Sequence, residues 1–247
     1  MTKRFENKVV VITGGSEGIG LATARHFAVE GALVYVTGRR QEKLDEAVNE
    51  IANGAIGVQG DVSNLIDIDS LYDRIRRDHG RVDVVFANAG ISESAPLGQV
   101  DEEHFDRVFA TNVKGLVFTV QKALPLMTAG GTVILAGSVA GSKGLPALSI
   151  YSATKAAIRS LARTWTTDLK SRGIRVNVVS PGMIATPAMR TYIQNNAGAK
   201  EALQQMIPFG RLGQADEVAK AVLFLASSDS SFVAGDELAV DGGVMAV

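Results

Sequence analysis

A tyrosine and a lysine lie four residues apart, at Tyr151 and Lys155, in a stretch with helical periodicity. Residues at this spacing share one face of a helix. Free tyrosine has a pKa near ~10, and a neighbouring ammonium is expected to lower it toward neutral pH. The pair is therefore typical of a general acid or base that exchanges a proton with a substrate oxygen. Ser138, at the end of a predicted strand, is predicted to hold that oxygen. A Tyr–Lys pair at this spacing also occurs by chance on many helices.

A glycine-rich turn, residues 13–20, joins the first predicted strand to the first predicted helix. Gly14, Gly18 and Gly20 allow the backbone to turn tightly and to approach a ligand without a Cβ in the way. The free N–H groups at the start of the following helix suit a pyrophosphate. The spacing, G-x-x-x-G-x-G, differs from the common G-x-G-x-x-G fingerprint. The alternative, a glycine-rich turn without a ligand, is disfavoured by its position after the first strand.

The residues after the second predicted strand indicate which dinucleotide binds. An acidic residue there would favour NAD(H), but the chain has Gly38 followed by Arg39 and Arg40. A 2′-phosphate is recognised by a guanidinium, so we predict a preference for NADP(H) over NAD(H), with Arg39 as first candidate and Arg40 as second. The alternative is that both arginines are solvated surface. Glu17 opposes the prediction because it places a negative charge in the glycine turn.

The segments around these residues alternate between short apolar runs and longer amphipathic stretches. The runs are rich in β-branched residues and lack strict alternation, as expected for strands that are covered on both faces. They span residues 9–12, 33–37, 55–58, 82–86, 132–135, 175–179 and 237–240. Alternating strands and helices predict an α/β fold, namely a doubly wound parallel sheet (Rossmann fold) of about seven strands with helices on both faces. No linker or composition shift interrupts the chain, so we predict one catalytic domain over residues 1–247.

Local signals place several helix boundaries. Ser63 or Asn64 is predicted to cap a helix that runs through Ile75, and Asp101 to cap the next one. Residues 186–213 contain prolines and an Asn-Asn-Ala-Gly run, and we predict that they form a mobile substrate loop before the last helix.

Composition excludes several classes of function. The chain has 247 residues, 46% of them hydrophobic, a formal net charge of -1 and no cysteine. It therefore lacks the basic surface that nucleic acid or an anionic membrane requires, and it cannot form disulfides or thiolate metal sites. The histidines, His26, His79 and His104, fit no metal spacing and are predicted to be surface or helix-end residues. No apolar run is long enough to span a membrane and no signal peptide is evident, so we predict a cytoplasmic protein.

Together these features resemble the short-chain dehydrogenase/reductase family, in its short single-domain branch. The resemblance covers essentially the whole chain. It is carried by residues 13–20, Asp61-Val62, Asn88-Ala89-Gly90, Asn112, Ser138, the Tyr151–Lys155 motif, Pro181-Gly182 and residues 240–243.

The resemblance implies a role for each matching residue. Ser138, Tyr151, Lys155 and Asn112 would be catalytic, with Asn112 supporting a water that connects Lys155 to solvent. Lys155 would also bind the nicotinamide ribose. The remaining cofactor contacts would be Gly14, Ser16, Glu17, Gly18, Ile19, Gly20, Gly38, Arg39, Arg40, Asp61, Val62, Asn88, Ala89, Gly90, Tyr151, Pro181, Gly182, Ile184 and Thr186.

The expected activity is NADP(H)-dependent interconversion of a ketone and a secondary alcohol. Val139, Leu145, Met183 and Met189, with Ser138 and Tyr151, are predicted to line the substrate pocket, although the four apolar side chains are equally compatible with core positions. Two alternatives stay open: a 3-oxoacyl-[acyl-carrier-protein] reductase, and a non-catalytic dinucleotide-sensing protein. The family usually forms tetramers, and the apolar ending, residues 243–247, is compatible with burial at such an interface.

Overall fold

A computed structural model describes residues 3–51 and 53–247 of the chain. Within those ranges, seven strands alternate with nine α-helices. The strands are β1 (Val9–Ile12), β2 (Leu33–Gly38), β3 (Ile56–Gln59), β4 (Val82–Ala87), β5 (Met127–Ala136), β6 (Arg175–Pro181) and β7 (Glu237–Val240). The helices are α1 (Gly18–Val29), α2 (Gln41–Ile51), α3 (Leu65–Asp78), α4 (Glu102–Phe109), α5 (Leu116–Ala123), α6 (Ser149–Asp168), α7 (Pro187–Asn195), α8 (Ala199–Met206) and α9 (Ala215–Ala226). A π-helical turn, Ala110–Gly115, joins α4 to α5.

All seven strands form one parallel sheet in the order β3-β2-β1-β4-β5-β6-β7. The strand order reverses between β1 and β4, and a crevice opens at the carboxyl ends of strands at such a point. The predicted parallel sheet is confirmed, and each predicted strand lies within one or two residues of an observed one, except that β5 begins five residues earlier. The crevice is the place where the glycine turn and Asn88 meet.

Two apolar cores cover the faces of the sheet. Val10 and Ile12 point to one face, where α1 and α9 pack, and Val9 and Val11 point to the other, where α3, α5 and α6 pack. All four side chains of β1 are fully buried. This double coverage explains why the strands read as unbroken apolar runs rather than alternating ones.

Side-chain caps start two helices where the sequence predicts them. The Asn64 side chain accepts a hydrogen bond from the Ile66 N–H at 3.1 Å, and the Asp101 side chain accepts one from the His104 N–H at 2.7 Å. Each contact satisfies a backbone donor that the helix itself leaves without a partner. His104 lies in the first turn of α4, in agreement with the predicted helix-end position, and its side chain is buried.

The segment after β6 is helical rather than irregular. It folds into α7 and α8, none of whose residues is buried. Its base is closed, because the Gly213 N–H donates to the Met183 carbonyl at 2.9 Å and the Ala185 N–H donates to the Gly213 carbonyl at 2.8 Å. The two helices therefore form a flap (residues 186–213) on a closed stem, and its mobility stays a prediction.

The apolar chain ending is partly buried within the protomer, and its burial at a subunit interface stays a prediction. Val244 is buried within the chain against Val139, Met183 and Ile207, whereas Val247 is exposed. Part of the ending is thus used inside the protomer, because Asp241 accepts hydrogen bonds from the Gly243 and Met245 N–H groups and folds it back. Across the described residues, none of the helices is long and apolar enough to cross a membrane.

Candidate functional site

The glycine turn packs against itself so closely that side chains are excluded. Gly14 and Gly18 have positive φ angles of 65° and 57°. A Cβ on Gly20 would lie 2.2 Å from the Gly14 carbonyl oxygen, and one on Gly38 would lie 2.9 Å from Ser16 Oγ. Glu17, at the start of α1, does not cap the helix. The N–H groups of the first turn of α1 therefore face the crevice without a capping side chain, as a phosphate site requires.

The end of β4 holds this turn in place. Thr13 Oγ1 accepts hydrogen bonds from the Asn88 and Ala89 N–H groups, each at 3.1 Å. The Asn88 amide donates to the carbonyls of Thr13 and Gly14 at 3.0 and 3.1 Å. Asn88 and Thr13 thus both stabilise the glycine turn through hydrogen bonds. This role of Thr13 was not predicted from the sequence, although Thr13 directly precedes the glycines.

The two arginines after β2 have different partners. Arg40 forms an ion pair with Glu17 at 2.6 Å, whereas the Arg39 guanidinium lies 4.0 Å from an Asp61 carboxylate oxygen. Arg39 is two-thirds exposed and lines an open cleft with Gln59, Gly60, Asp61 and Asp67. The Glu17 charge is therefore directed at Arg40, and Arg39 is the arginine that is available to an anion in the cleft.

The carboxyl end of β3 forms the floor of this cleft. Asp61 accepts hydrogen bonds from the Ser63 N–H and hydroxyl at 2.9 and 2.8 Å, and its own N–H donates to Asp67 at 2.8 Å. Val62 is buried beside it. The predicted pair Asp61-Val62 thus occupies a hydrogen-bonded turn near Thr13.

Lys155 is buried on α6, and none of the described residues pairs a carboxylate with it. Its Nζ donates to the Ala136 carbonyl at 2.7 Å and lies 5.6 Å from the centroid of the Tyr151 ring. Burial lowers the pKa of the Lys155 ammonium to about 8. A Cβ on Gly90 would lie 3.6 Å from Nζ, so the absence of a side chain at residue 90 leaves room beside the amine.

Tyr151 and Ser138 lie next to one another, as the sequence predicts. Burial raises the pKa of the Tyr151 phenol, and the Ser138 hydroxyl opposes that rise. The lowering of this pKa by Lys155 stays a prediction. In this structure the lysine amine donates to the Ala136 carbonyl, and burial of the phenol is the main cause of the raised pKa.

Asn112 lies in the π-helical turn between α4 and α5, and its side chain is almost completely buried. Its amide oxygen accepts a hydrogen bond from the Ile91 N–H at 2.8 Å. Its amide nitrogen donates to the Ile91 carbonyl at 2.9 Å and to Thr154 Oγ1 at 3.2 Å. A π-helical turn inside a helix frequently marks a functional position. Here the π-helical turn places the Asn112 amide within hydrogen-bond distance of both the loop after β4 and α6.

The flap begins directly over the glycine turn. Thr186 caps α7 by accepting a hydrogen bond from the Met189 N–H at 3.3 Å, and a Cβ on Gly18 would lie 3.2 Å from its methyl group. Ile184 is buried at the stem. Pro181 and Gly182 end β6, and a Cβ on Gly182 would clash with Asp241. Thr186 therefore lies against the glycine turn, whereas Pro181, Gly182 and Ile184 lie between the end of β6 and the flap.

Three of the four apolar residues predicted to line the substrate pocket share one apolar cluster. Val139, Met183 and Met189 pack together with flap residues and the chain ending; the other members are Leu203, Ile207, Leu212, Val244 and Met245. Leu145 is half-buried and lies outside this cluster. The cluster lies beside Ser138 because Val139 follows it directly.

A lysine without a counter-ion should destabilise the fold. We expect Lys155→Met to raise the free energy of unfolding at pH 7 by about 1–3 kcal/mol, because the folded protein no longer buries an ammonium. The folded-state pKa is lowered, so the unfolded state binds more protons between about pH 8 and the ordinary value of 10.5. Wild-type stability should therefore gain with pH across that window relative to the variant. Urea unfolding at pH 7 and pH 9.5 measures both effects; a less stable variant at pH 7 would contradict them.

No group of three or more metal-binding side chains occurs among residues 3–51 and 53–247. The arrangement instead brings together a glycine cradle at the start of α1, a cleft lined by Arg39, and a group of tyrosine, serine and lysine side chains. These groups can bind a dinucleotide and exchange a proton with an oxygen beside it.

Comparison with known proteins agrees with this arrangement. A family model described as enoyl-(acyl carrier protein) reductase matches residues 14–245. The chain is 48% identical to an oxidoreductase of Sarocladium schorii, over 98% of this chain and 97% of that protein. It is 39% identical to a 3-oxoacyl-[acyl-carrier-protein] reductase of Thermotoga maritima, over 98% and 99% respectively. A solved structure of a short chain dehydrogenase/reductase family protein superimposes with a TM-score of 0.89 at 39% identity, covering 99% of this chain and 100% of that one.

Proposed function

The chain belongs to the short-chain dehydrogenase/reductase family, and we propose that it interconverts a ketone and a secondary alcohol with NADP(H). The observation that carries the proposal is the adjacency of Tyr151 to Ser138 and Lys155, beside the loop Asn88-Ala89-Gly90 that also holds the glycine turn. When bound, the nicotinamide supplies or accepts the hydride. A purely dinucleotide-sensing protein would have no use for all three side chains.

Each of the other side chains has a separate role in the proposed reaction. The Ser138 hydroxyl donates a hydrogen bond to the carbonyl oxygen of the ketone and orients it. The Tyr151 phenol gives its proton to that oxygen during reduction and takes it back during oxidation. Lys155 stabilises the phenolate and binds the ribose, and Asn112 supports the water that renews the proton. The single domain of residues 1–247 carries the whole site.

The cradle and cleft suit a phosphorylated dinucleotide. Gly14, Gly18 and Gly20 leave the first turn of α1 open to the pyrophosphate, and Asp61-Val62 borders the adenine position. Arg39 supports the preference for NADP(H), since its guanidinium is exposed and lies 4.0 Å from the nearest Asp61 carboxylate oxygen. Ser16, Ile19, Gly38, Ala89, Gly90, Ile184 and Thr186 complete the proposed contacts.

Cofactor preference should depend on Arg39 more than on Arg40. We expect Arg39→Ala to raise the KM for NADPH by about tenfold, the size of one exposed charge-assisted contact, and to leave the KM for NADH nearly unchanged. Arg40→Ala is the matched control and should change NADPH binding less, because Glu17 already neutralises that guanidinium. Steady-state kinetics with both cofactors measure the difference. An equal loss in both variants would contradict the assignment.

We propose an uncharged, largely apolar substrate surface, because Val139, Met183 and Met189 form the apolar cluster beside Ser138. Methionine side chains adapt to ligands of different shape. A panel of small and medium ketones and alcohols, assayed through the change in nicotinamide absorbance, tests the activity. Absence of turnover across the panel with either cofactor would overturn the proposal for free ketones.

A second candidate is reduction of a 3-oxoacyl group on an acyl carrier protein. It is favoured by the Thermotoga maritima relative that carries this name, and the description of the family model also names an acyl-carrier-protein substrate. Including a carrier-linked 3-oxoacyl substrate in the same panel separates the two candidates. A kcat/KM at least about a hundredfold higher on the carrier-linked substrate than on any free ketone would favour this second candidate.

We also propose a cytoplasmic homotetramer that acts on small molecules and binds neither nucleic acid nor membrane. The stacked rings of Phe105 and Phe109 on α4, 4.5 Å apart, and the fully exposed Phe232 ahead of β7 support an assembly through these surfaces. Light scattering of the purified protein measures the mass.

A further inference from the structure

An ion pair behind the catalytic side chains connects α6 to the edge strand β7. The Arg159 guanidinium contacts the Glu237 carboxylate, whose side chain is only 14% exposed. The other Glu237 oxygen accepts a hydrogen bond from Ser180 Oγ at 2.6 Å, and Arg159 Nη1 donates to Ser142 Oγ at 2.8 Å. One arginine thus joins the helix of Tyr151 to β6, to β7 and to the segment after Ser138.

Ser180 and α6 contact the residues on both sides of Ser138 in the sequence. Ser180 is fully buried, and a Cβ on Gly137 would lie 2.3 Å from its Oγ, so the residue before Ser138 rests directly on Ser180. After Ser138, the helical turn Val139–Gly141 rests on α6, since a Cβ on Gly141 would lie 3.1 Å from the Lys155 carbonyl carbon. A shift of α6 relative to β6 is therefore transmitted to Ser138.

Stability alone does not account for this pair. Glutamate is disfavoured in strands, and an apolar residue at position 237 would satisfy the sheet. Burying a carboxylate and a guanidinium costs as much as it gains unless their geometry is useful. The contact between Arg159 and Ser142 adds little energy because Ser142 is exposed, but it fixes where the segment after Ser138 lies.

We propose that Arg159 and Glu237 are positioning residues that hold Ser138 at the correct distance from Tyr151 for proton transfer. They act through Ser180 and Ser142 and touch neither the substrate nor the cofactor. The proposal rests on the proposed function for its kinetic consequences, but its structural consequence is independent of catalysis.

Four variants test the network. Arg159→Met removes it, Arg159→Lys keeps the charge beside Glu237 but loses the two-sided contact, and Ser142→Ala removes the link to the segment after Ser138. Arg81→Met is the matched control, because Arg81 contacts the buried carboxylate of Asp83 at 3.2 Å near the amino end of the central strand β4. The readouts are kcat, the KM for NADPH, and hydrogen exchange of the backbone amides of residues 138–143.

We expect Arg159→Met to lower kcat by about tenfold to a hundredfold, the effect of a misplaced catalytic group, with the KM for NADPH within about twofold of wild type. Arg159→Lys and Ser142→Ala should lower kcat less. All three should speed exchange in residues 138–143, whereas Arg81→Met should change neither kcat nor exchange there. In a Ser138→Ala background, Arg159→Met should cause little further loss of kcat, since both changes act through one group.

Several results would overturn the proposal. One is that Arg159→Met changes neither kcat nor the exchange of residues 138–143. Another is that Arg159→Met lowers kcat as much in the Ser138→Ala background as in the wild type. A third is that Arg81→Met lowers kcat as much as Arg159→Met does. If the wild-type protein turns over none of the substrates, the proposed function fails, and the exchange measurement alone decides the positioning role.

Discussion

Replacing Tyr151 with phenylalanine is expected to lower kcat for ketone reduction by about 10²–10⁴-fold, the usual contribution of a positioned general acid. The ring is retained, so its packing on α6 and its contact with Lys155, 5.6 Å from Nζ to the ring centroid, persist. Only the transferable proton disappears. NADPH binding should therefore stay within about twofold of wild type, because a hydroxyl that acts on substrate contributes little to ground-state binding.

Single-turnover kinetics with NADPH and the best ketone of the panel measure the chemical step, and quenching of protein fluorescence measures cofactor binding. Thr191→Val is a suitable control, since it removes an exposed hydroxyl on the flap that bonds only the Pro187 carbonyl. Full activity in Tyr151→Phe would refute the assignment of Tyr151 as proton donor. Loss of NADPH binding would instead assign it a structural part in the cofactor site.

Replacing Gly20 with alanine is expected to abolish cofactor binding at ordinary concentrations, weakening it by about a hundredfold or more, or about 3 kcal/mol. The new Cβ would lie 2.2 Å from the Gly14 carbonyl oxygen, which already accepts a hydrogen bond from Asn88. The two backbone segments must separate, and the N–H groups that face the pyrophosphate then move with them. Overpacking of this kind should also reduce the free energy of unfolding by about 1–3 kcal/mol.

Isothermal titration with NADPH and urea unfolding of the apoprotein measure the two effects separately. The matched control is Gly144→Ala, because a Cβ there would meet no atom within 4 Å and the residue does not have a positive φ angle. It should bind NADPH and unfold like wild type. Unimpaired NADPH binding in Gly20→Ala would show that the cradle is not the pyrophosphate site.

Much of this site follows from local sequence patterns. The apolar runs predict the strands, the glycine spacing predicts a turn between β1 and α1, and the spacing of Tyr151 and Lys155 places both on one helix. Asn64 and Asp101 cap their helices as expected. Each of these features depends on residues within a few positions of one another, so periodicity and backbone sterics are sufficient to predict them.

Other features come from contacts between residues far apart in the chain. Glu17 pairs with Arg40 and so leaves Arg39 available, and Lys155 is directed at the Ala136 carbonyl rather than at the Tyr151 phenol. The irregular composition of residues 186–213 conceals two helices on a closed stem. These outcomes depend on which strands are neighbours and on which side chains the packing brings within reach.

The sequence alone therefore predicts part of the chemistry of this site. The types and spacing of Gly14, Gly18, Gly20, Tyr151 and Lys155 predict a dinucleotide cradle and a proton-transfer pair, because both are short-range devices. The tertiary structure alone decided how Ser138 meets Tyr151 and how Arg159 reaches Glu237, 78 positions away in the chain. The physical reason is that strand order and helix packing set long-range distances, whereas local patterning determines only the elements that are packed.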